Sequence, residues 1–149
     1  MAEIGFYHLT RTPLEQALPK LLGRVLATGG RAFVLCGEAE RAKALDAALW
    51  TVQDPDWLPH GLAGGENDPL QPILIGTQDV APGNGARFLF LVDGADSARL
   101  AEYDRVLDLF DGADEAAVAA ARRRWAAAKA AGHGLAYWQQ GGSGWERKA

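Results

Sequence analysis

The run Ala86-Arg87-Phe88-Leu89-Phe90-Leu91-Val92, closed by Asp93-Gly94, is the most continuous stretch of large apolar residues in the chain. A short apolar run bounded by turn residues is typical of a strand that is buried on both faces. Such strands occur in parallel sheets whose two faces are covered by helices. The sequence therefore predicts a central strand over 86–92.

Shorter apolar segments and helical patterns alternate on both sides of this run. Thr12-Pro13-Leu14-Glu15 has the form of a capping box with proline at the first helical position. The alternation predicts an α/β fold with a mainly parallel sheet flanked by helices. Further strands are expected at 4–9, 31–36, 72–75 and 105–110, and helices at about 12–28, 38–50, 98–103 and 114–131.

The length and the C-terminal composition define the domain organisation. A chain of 149 residues is the size of one ordinary domain. Gly141-Gly142-Ser143-Gly144 is typical of a linker, so a single domain is expected over 1–140, followed by a flexible tail over 141–149.

Charge is distributed unevenly along the chain, although the net value is only −4. Residues 1–115 carry nine Lys/Arg and eighteen Asp/Glu, whereas 116–149 carry six and one. The acidic body predicts no appreciable direct affinity for single-stranded DNA at physiological salt. The basic end indicates contact with an anionic partner. The alternative is that these charges only keep an alanine-rich helix in solution.

Membrane and redox signals are few. No apolar run approaches the roughly 20 residues that span a bilayer, and the N-terminus lacks a charged-then-apolar signal pattern. Cys36 is the single cysteine, which excludes an internal disulfide. We therefore expect a cytoplasmic protein that does not contact a membrane.

Catalytic and cofactor motifs are weak. No Gly-x-Gly-x-x-Gly follows a strand, and there is no Gly-Lys-Ser/Thr loop. His8, His60 and His133 lack metal-ligand spacing, and Cys36 is typical of a core residue. Asp93 is either a turn residue, which we favour, or a catalytic group at a strand end. We expect no enzyme activity, metal or cofactor, with a nucleotide-binding regulatory domain as the alternative.

The last predicted helix has one mixed face. Val118, Arg122, Trp125 and Lys129 fall on one stripe at helical spacing. Arginine beside apolar side chains suits an acidic peptide with an aromatic end and a free carboxylate. Alternatively, Val118 and Trp125 belong to the core and the basic stems run past them. The alanines expected to pack against the sheet are Ala117, Ala120, Ala121, Ala127, Ala128 and Ala131.

A proline-flanked segment between 47 and 64 carries two tryptophans, Trp50 and Trp57. Pro55 and Pro59 lack a backbone donor and favour extended geometry before them, so neither a helix nor a central strand is expected there. The tryptophans either cover the core or form a rigid apolar surface for a partner.

Three motifs give the chain a family resemblance. The motifs are Phe6-Tyr7-His8-Leu9, Ala48-Leu49-Trp50 and the stretch from Trp57 to Gly64, and a strand and a basic helix follow them. In this order and spacing the chain resembles the chi subunit of bacterial DNA polymerase III over nearly its whole length. The resemblance implies a Rossmann-like, non-catalytic adaptor. Such adaptors bind the acidic C-terminal tail of single-stranded DNA-binding protein. A second surface binds the psi subunit of the clamp-loader complex or, in some bacteria, a helicase.

The resemblance also implies the residues of both surfaces. Arg122 matches the main basic residue of the family's tail site. Val118 stands one turn earlier, where a basic residue is expected. The residues that match the surface for psi or its substitute are Trp50, Trp57, Leu58, Pro59 and His60.

Overall fold

A computed structural model describes residues 2–51, 58–142 and 144–149. In these ranges the chain forms eight strands and three α-helices, and no helix is long and apolar enough to cross a bilayer. The elements are β1 (Glu3–Leu9), α1 (Leu14–Ala27), β2 (Ala32–Leu35), α2 (Ala39–Trp50), β3 (His60–Leu62), β4 (Ile73–Gly76), β5 (Phe88–Leu91), β6 (Arg105–Asp111), α3 (Glu115–Ala130), β7 (Gly134–Gly141) and β8 (Gly144–Arg147).

All eight strands form one sheet in the order β3-β4-β2-β5-β6-β1-β7-β8. Every neighbouring pair is parallel except β7 and β8. β5 lies between β2 and β6, and its side chains alternate between the two faces: Phe90 enters one core, whereas Leu89 and Leu91 enter the other. The predicted α/β fold with a mainly parallel sheet is confirmed, and so is the central buried strand.

The two faces of the sheet carry different helices. Residues of α1 and α2 pack with alternate sheet residues in one core, and Ala121 and Ala128 of α3 pack in the second. β1 and β6 are neighbours, but the helices that follow them go to opposite faces. Ligands of open α/β sheets bind at such a switch point. A crevice of about 710 Å³ lies there, at the carboxyl ends of the strands.

A buried ion pair attaches α3 to the sheet. Arg124 Nε lies 2.6 Å from Asp108 Oδ2, and Arg124 Nη2 lies 3.0 Å from Oδ1. The side chains are only 10% and 2% exposed. Burial raises the pKa of Asp108, and the two hydrogen bonds from Arg124 oppose that rise. The pair therefore determines which side of α3 faces β6.

The C-terminal segment differs from the flexible tail expected over 141–149. β8 pairs antiparallel with β7, so Trp145 lies opposite Gln140. Gly144 has a φ of 134°, which favours glycine at the turn into β8. The Trp145 ring meets the Tyr7 ring edge-on, with 5.0 Å between centroids. Sheet pairing and this aromatic contact hold the segment against β1 and β7.

The loop before α1 also differs from the prediction, because the capping box does not form. The backbone N–H groups of Thr10, Arg11 and Thr12 all donate to Gln140 Oε1, at 3.0, 2.8 and 3.1 Å. Gln140 Nε2 in turn donates to Thr12 Oγ1 at 2.7 Å. The Thr12 hydroxyl is therefore used by β7 instead of capping α1. The helix expected at 98–103 is a 3₁₀ turn, Leu100–Glu102.

Asp108→Asn should lower the free energy of unfolding by about 3–5 kcal/mol, because it leaves the buried Arg124 charge without its partner. Urea denaturation measures this. Asp104→Asn is the matched control, since Asp104 bonds to Arg87 at the surface, where both side chains are more than half exposed. Equal, small effects of both substitutions would show that the buried pair does not hold α3.

Candidate functional site

Aromatic rings from three strands and α3 form a continuous cluster on the α3 side of the sheet. The Phe6 and Trp125 centroids are 5.3 Å apart and meet edge-on. Trp125 and Tyr137 follow at 5.9 Å, Tyr137 and His8 at 5.9 Å, and His8 and Phe110 at 5.0 Å. Such edge-on and tilted contacts are favourable for aromatic rings. We call these five residues the α3-side cluster.

His8 is the polar centre of this cluster. Its Nδ1 lies 2.6 Å from the Tyr137 hydroxyl. Its other ring nitrogen faces Gly112, where a Cβ would overlap the His8 ring. Burial lowers the pKa of His8, the hydrogen bond with Gly112 raises it, and the nearby Arg122 lowers it again. Nδ1 of a neutral His8 can therefore accept a hydrogen bond from the Tyr137 hydroxyl.

The predicted tail-binding residues divide into two kinds. Val118 and Trp125 are half-buried and pack against the second core, whereas Arg122 and Lys129 are exposed. Each of the two interpretations of this helix thus describes half of the stripe. Arg122 is close enough to Tyr137 to act on its hydroxyl, since burial raises the pKa of Tyr137 and Arg122 opposes this.

The alanines of α3 explain this division. Ala121 and Ala128 are buried against the sheet, whereas Ala127 and Ala131 are exposed, against the expectation that all six would pack there. The middle of the buried side of α3 therefore lies between the buried alanines, Ala121 and Ala128, and Trp125. Arg124, which the stripe does not include, points into the sheet.

The second predicted surface lies at the β3 end of the sheet. Trp50 is 60% exposed, and its ring centroid lies 4.3 Å from that of His60. Leu58 and His60 are buried, and Pro59 is half-buried. His60 Nδ1 lies 2.6 Å from the Leu58 carbonyl oxygen, and Nε2 lies 2.9 Å from that of Asp46.

Two of the residues predicted to contact a partner thus lie in the interior of the protein. Leu58 and His60 fix the chain that enters β3, while Trp50 and part of Pro59 remain accessible. The prediction for Trp57 lies outside the described residues.

Three arginines line the crevice at the switch point, Arg11, Arg41 and Arg124, and the last two are paired with carboxylates. Arg41 contacts both Glu15 and Asp93, and Arg124 contacts Asp108. Asp93 has a φ of 53° and is followed by Gly94, as expected for a turn residue. These contacts give the nucleotide-binding alternative little support, because they already engage Arg41 and Arg124.

Cys36 lies at the end of β2 near this crevice. It is 1% exposed. Burial, with a smaller contribution from Asp93, raises its pKa to about 12. The thiol is therefore protonated at neutral pH. Because the thiolate is the nucleophilic form, Cys36 serves as a core side chain and not as a nucleophile.

The sheet order and the alternation of strands and helices define a Rossmann-like α/β protein. On its α3 side, exposed Arg122 lies beside aromatic side chains, and arginine and aromatic residues are enriched at protein interfaces. Comparison with protein families matches residues 1–136 to the family described as DNA polymerase III chi subunit, HolC, and the chain belongs to this family. A probable DNA polymerase III subunit chi of Rickettsia prowazekii (strain Madrid E) is 22% identical over 110 residues, covering 74% of this chain.

The match covers 66% of that relative, slightly less than two thirds of its length. The family confirms the resemblance and makes the protein a member of a group of DNA polymerase III accessory subunits. Residues 137–149, which include most of β7 and all of β8, lie beyond the family match.

Sequence reasoning missed His8, Tyr137 and Arg124. Tyr137 lies in β7, which has no long apolar run, so no strand was predicted there. His8 stands in a predicted strand, but only the fold brings it to Tyr137. The buried position of Arg124 could not be predicted, because helical periodicity gives the angles between residues around a helix but not which side faces the core.

Arg122→Ala should raise the pKa of His8, because it removes a nearby cation, whereas Arg123→Ala should change it less. An NMR titration of the His8 imidazole measures both. Because folding lowers this pKa below 6.5, the unfolded chain takes up the proton first as pH falls through about 6.5, and His8 then contributes to a decrease in the free energy of unfolding. Equal shifts in the two variants would contradict the placement of Arg122.

Proposed function

We propose that the protein is a non-catalytic replisome adaptor. It binds the acidic C-terminal tail of single-stranded DNA-binding protein at Arg122 on α3. A second surface around Trp50 links it to the psi subunit of the clamp-loader complex or to a substitute such as a helicase. The observation that carries the proposal is the position of Arg122, an exposed arginine beside half-buried apolar and aromatic side chains.

The surroundings of Arg122 suit a peptide with both acidic and apolar groups. Val118 and Trp125 supply apolar contact on the same side of α3, and Lys129 adds a second exposed cation. A guanidinium can bind a terminal carboxylate through two parallel hydrogen bonds. Because Val118 is uncharged, Arg122 is the main carboxylate-binding group on this side.

The tail would lie along the edge of the α3-side cluster. The charge of Arg122 acts on both His8 and Tyr137, and both of these polar side chains are partly exposed. The carboxylate of Asp111 also acts on His8, so the positive charge of this site comes from Arg122 and Lys129 on α3. An acidic tail therefore meets net positive charge on α3, although the whole protein is acidic.

The second surface is supported by an exposed aromatic side chain. Of the large hydrophobic residues exposed in the described ranges, Trp50 is the aromatic one. Tryptophan is enriched among residues that dominate binding energy at interfaces. Trp57, in the adjoining segment, stays a predicted anchor of the same surface.

Arg122→Ala should weaken binding of a free-acid tail peptide by roughly ten- to a hundred-fold, since a hydrogen bond to a charged group contributes about 1.5–3 kcal/mol. Calorimetry or fluorescence anisotropy with the purified protein measures this. Amidation of the peptide's C-terminus should cause a similar loss, and the two changes together should be non-additive. Salt should weaken the wild-type complex more than the variant complex.

Arg123→Ala is the control, because position 123 lies about 100° further round α3. It should change peptide affinity far less than Arg122→Ala. Unchanged affinity in Arg122→Ala would place the peptide elsewhere. In pull-downs, a tail-truncated single-stranded DNA-binding protein should no longer be captured.

Trp50→Ala should reduce capture of the psi subunit or its substitute while changing the free energy of unfolding little, because the ring is mostly exposed. Leu58→Ala is the contrasting variant. It truncates a buried side chain and should cost about 2–5 kcal/mol of stability. If Trp50→Ala retains full partner binding, the second surface lies elsewhere.

A further inference from the structure

The sheet face opposite α3 carries a second group of aromatic residues near its β8 edge. Tyr7 and Trp138 lie opposite each other on β1 and β7, with ring centroids 6.4 Å apart and planes 11° from parallel. Trp145 of β8 meets Tyr7 at 5.0 Å and 89°. We call Tyr7, Trp138 and Trp145 the α1-side aromatic surface. All three rings are partly exposed.

Gly5 lets the Tyr7 ring lie along the sheet. A Cβ at Gly5 would be 2.7 Å from Tyr7 Cε1, closer than any real contact allows. The ring therefore covers β1 itself instead of standing away from it. The result is a shallow platform in which the Tyr7 and Trp138 rings are nearly parallel and Trp145 stands edge-on to Tyr7, and α1 does not cover it completely.

Arginine side chains surround this platform. The Arg147 guanidinium lies 6.0 Å from the Trp138 ring centroid, which is within cation–π range, and its Nε donates to the Ala149 oxygen at 2.9 Å, which leaves its Nη groups for a phosphate. Arg105 begins β6 on the same face, and Arg24 is in the last turn of α1. Both act electrostatically on the Tyr7 hydroxyl: burial raises the pKa of Tyr7, and these two cations lower it. Three arginines thus lie around three rings.

Acidic charge on this face is small by comparison. Glu3, at the start of β1, points to the same face, where its carboxylate lies against Gly134. Glu146 points to the other face, because it alternates with Trp145 and Arg147 along β8. The platform is therefore locally positive in a protein of net charge −4.

We propose that the α1-side aromatic surface binds single-stranded nucleic acid. Bases stack on Tyr7, Trp138 and Trp145, and phosphates contact the surrounding arginines. Each nucleotide presents a flat ring and an anionic group, which is the combination that this surface matches. An acidic peptide matches the charges but does not supply a series of flat rings. The platform is on the opposite sheet face from Arg122, so it does not depend on the tail site.

Net negative charge keeps this affinity low for the isolated protein at physiological salt. Binding of the tail on α3, as proposed above, would hold the protein next to DNA and raise the effective concentration of the strand. A weak contact is then sufficient to position the adaptor on single-stranded DNA.

Fluorescence anisotropy with a labelled oligothymidine of about 20 nucleotides tests the proposal. Three phosphate contacts on a single strand predict that log K falls with log salt with a slope of about −2. Binding should be measurable at low salt. The triple variant Arg24→Glu, Arg105→Glu, Arg147→Glu should lose at least tenfold in affinity and most of this slope. Trp138→Ala should also weaken binding.

The matched control is Arg122→Glu, Arg123→Glu, Lys129→Glu, which makes the same change in net charge on α3. It should bind the oligonucleotide much better than the first triple variant, while losing the tail peptide. Equal losses of oligonucleotide binding in both variants, or no binding by the wild type at low salt, would overturn the proposal. Displacement of the oligonucleotide by an acidic peptide in the α3 variant would identify a peptide surface instead.

Discussion

The buried pair of Asp108 and Arg124 determines the orientation of α3, and the surface that α3 presents depends on it. With Arg124 directed at β6, helical geometry places Trp125, Val118, Lys129 and Arg122 at about 100°, 120°, 140° and 160° around the axis. These side chains therefore lie together on the side toward β1 and β7. Arg123 falls at about 260°, on the far side. The ion pair thus orients α3 so that Arg122 faces β1 and β7, while its sequence neighbour Arg123, about 100° further round, does not.

β1 distributes its side chains to two contact surfaces. Phe6 and His8 belong to the α3-side cluster, while Tyr7 lies on the opposite face with Trp138 and Trp145. Two glycines make this possible, since Gly5 leaves space for Tyr7, and Gly112 leaves space for His8. A central strand normally buries both faces. Because α1 and α3 cover β1 only in part, both faces of this strand also reach the surface.

The sequence predicts the parts of the fold that depend on local patterns. The apolar run 86–92, the alternation of elements and the bounds of α3 follow from periodicity and turn residues. β7 and β8 could not be predicted, because β7 is stabilised by pairing with β1, and β8 by pairing with β7 and by the Tyr7–Trp145 contact. The pairing with β1 and the Tyr7–Trp145 contact join residues far apart in sequence. Helical spacing likewise grouped the α3 stripe, but it could not decide whether Val118 and Trp125 belong to the core or to a binding surface.

The crevice between β1 and β6 shows why a Rossmann-like fold here does not imply a nucleotide site. In nucleotide-binding members of this architecture, backbone N–H groups after the first strand bind phosphate. Here the N–H groups of residues 10–12 already converge on Gln140 Oε1. An incoming phosphate would have to displace this side chain and its bond to Thr12. It would also meet an Arg41 already paired with two carboxylates. The backbone N–H groups that bind a ligand in those proteins here attach β7 to the loop before α1. The groups available for binding lie on the two faces of the sheet.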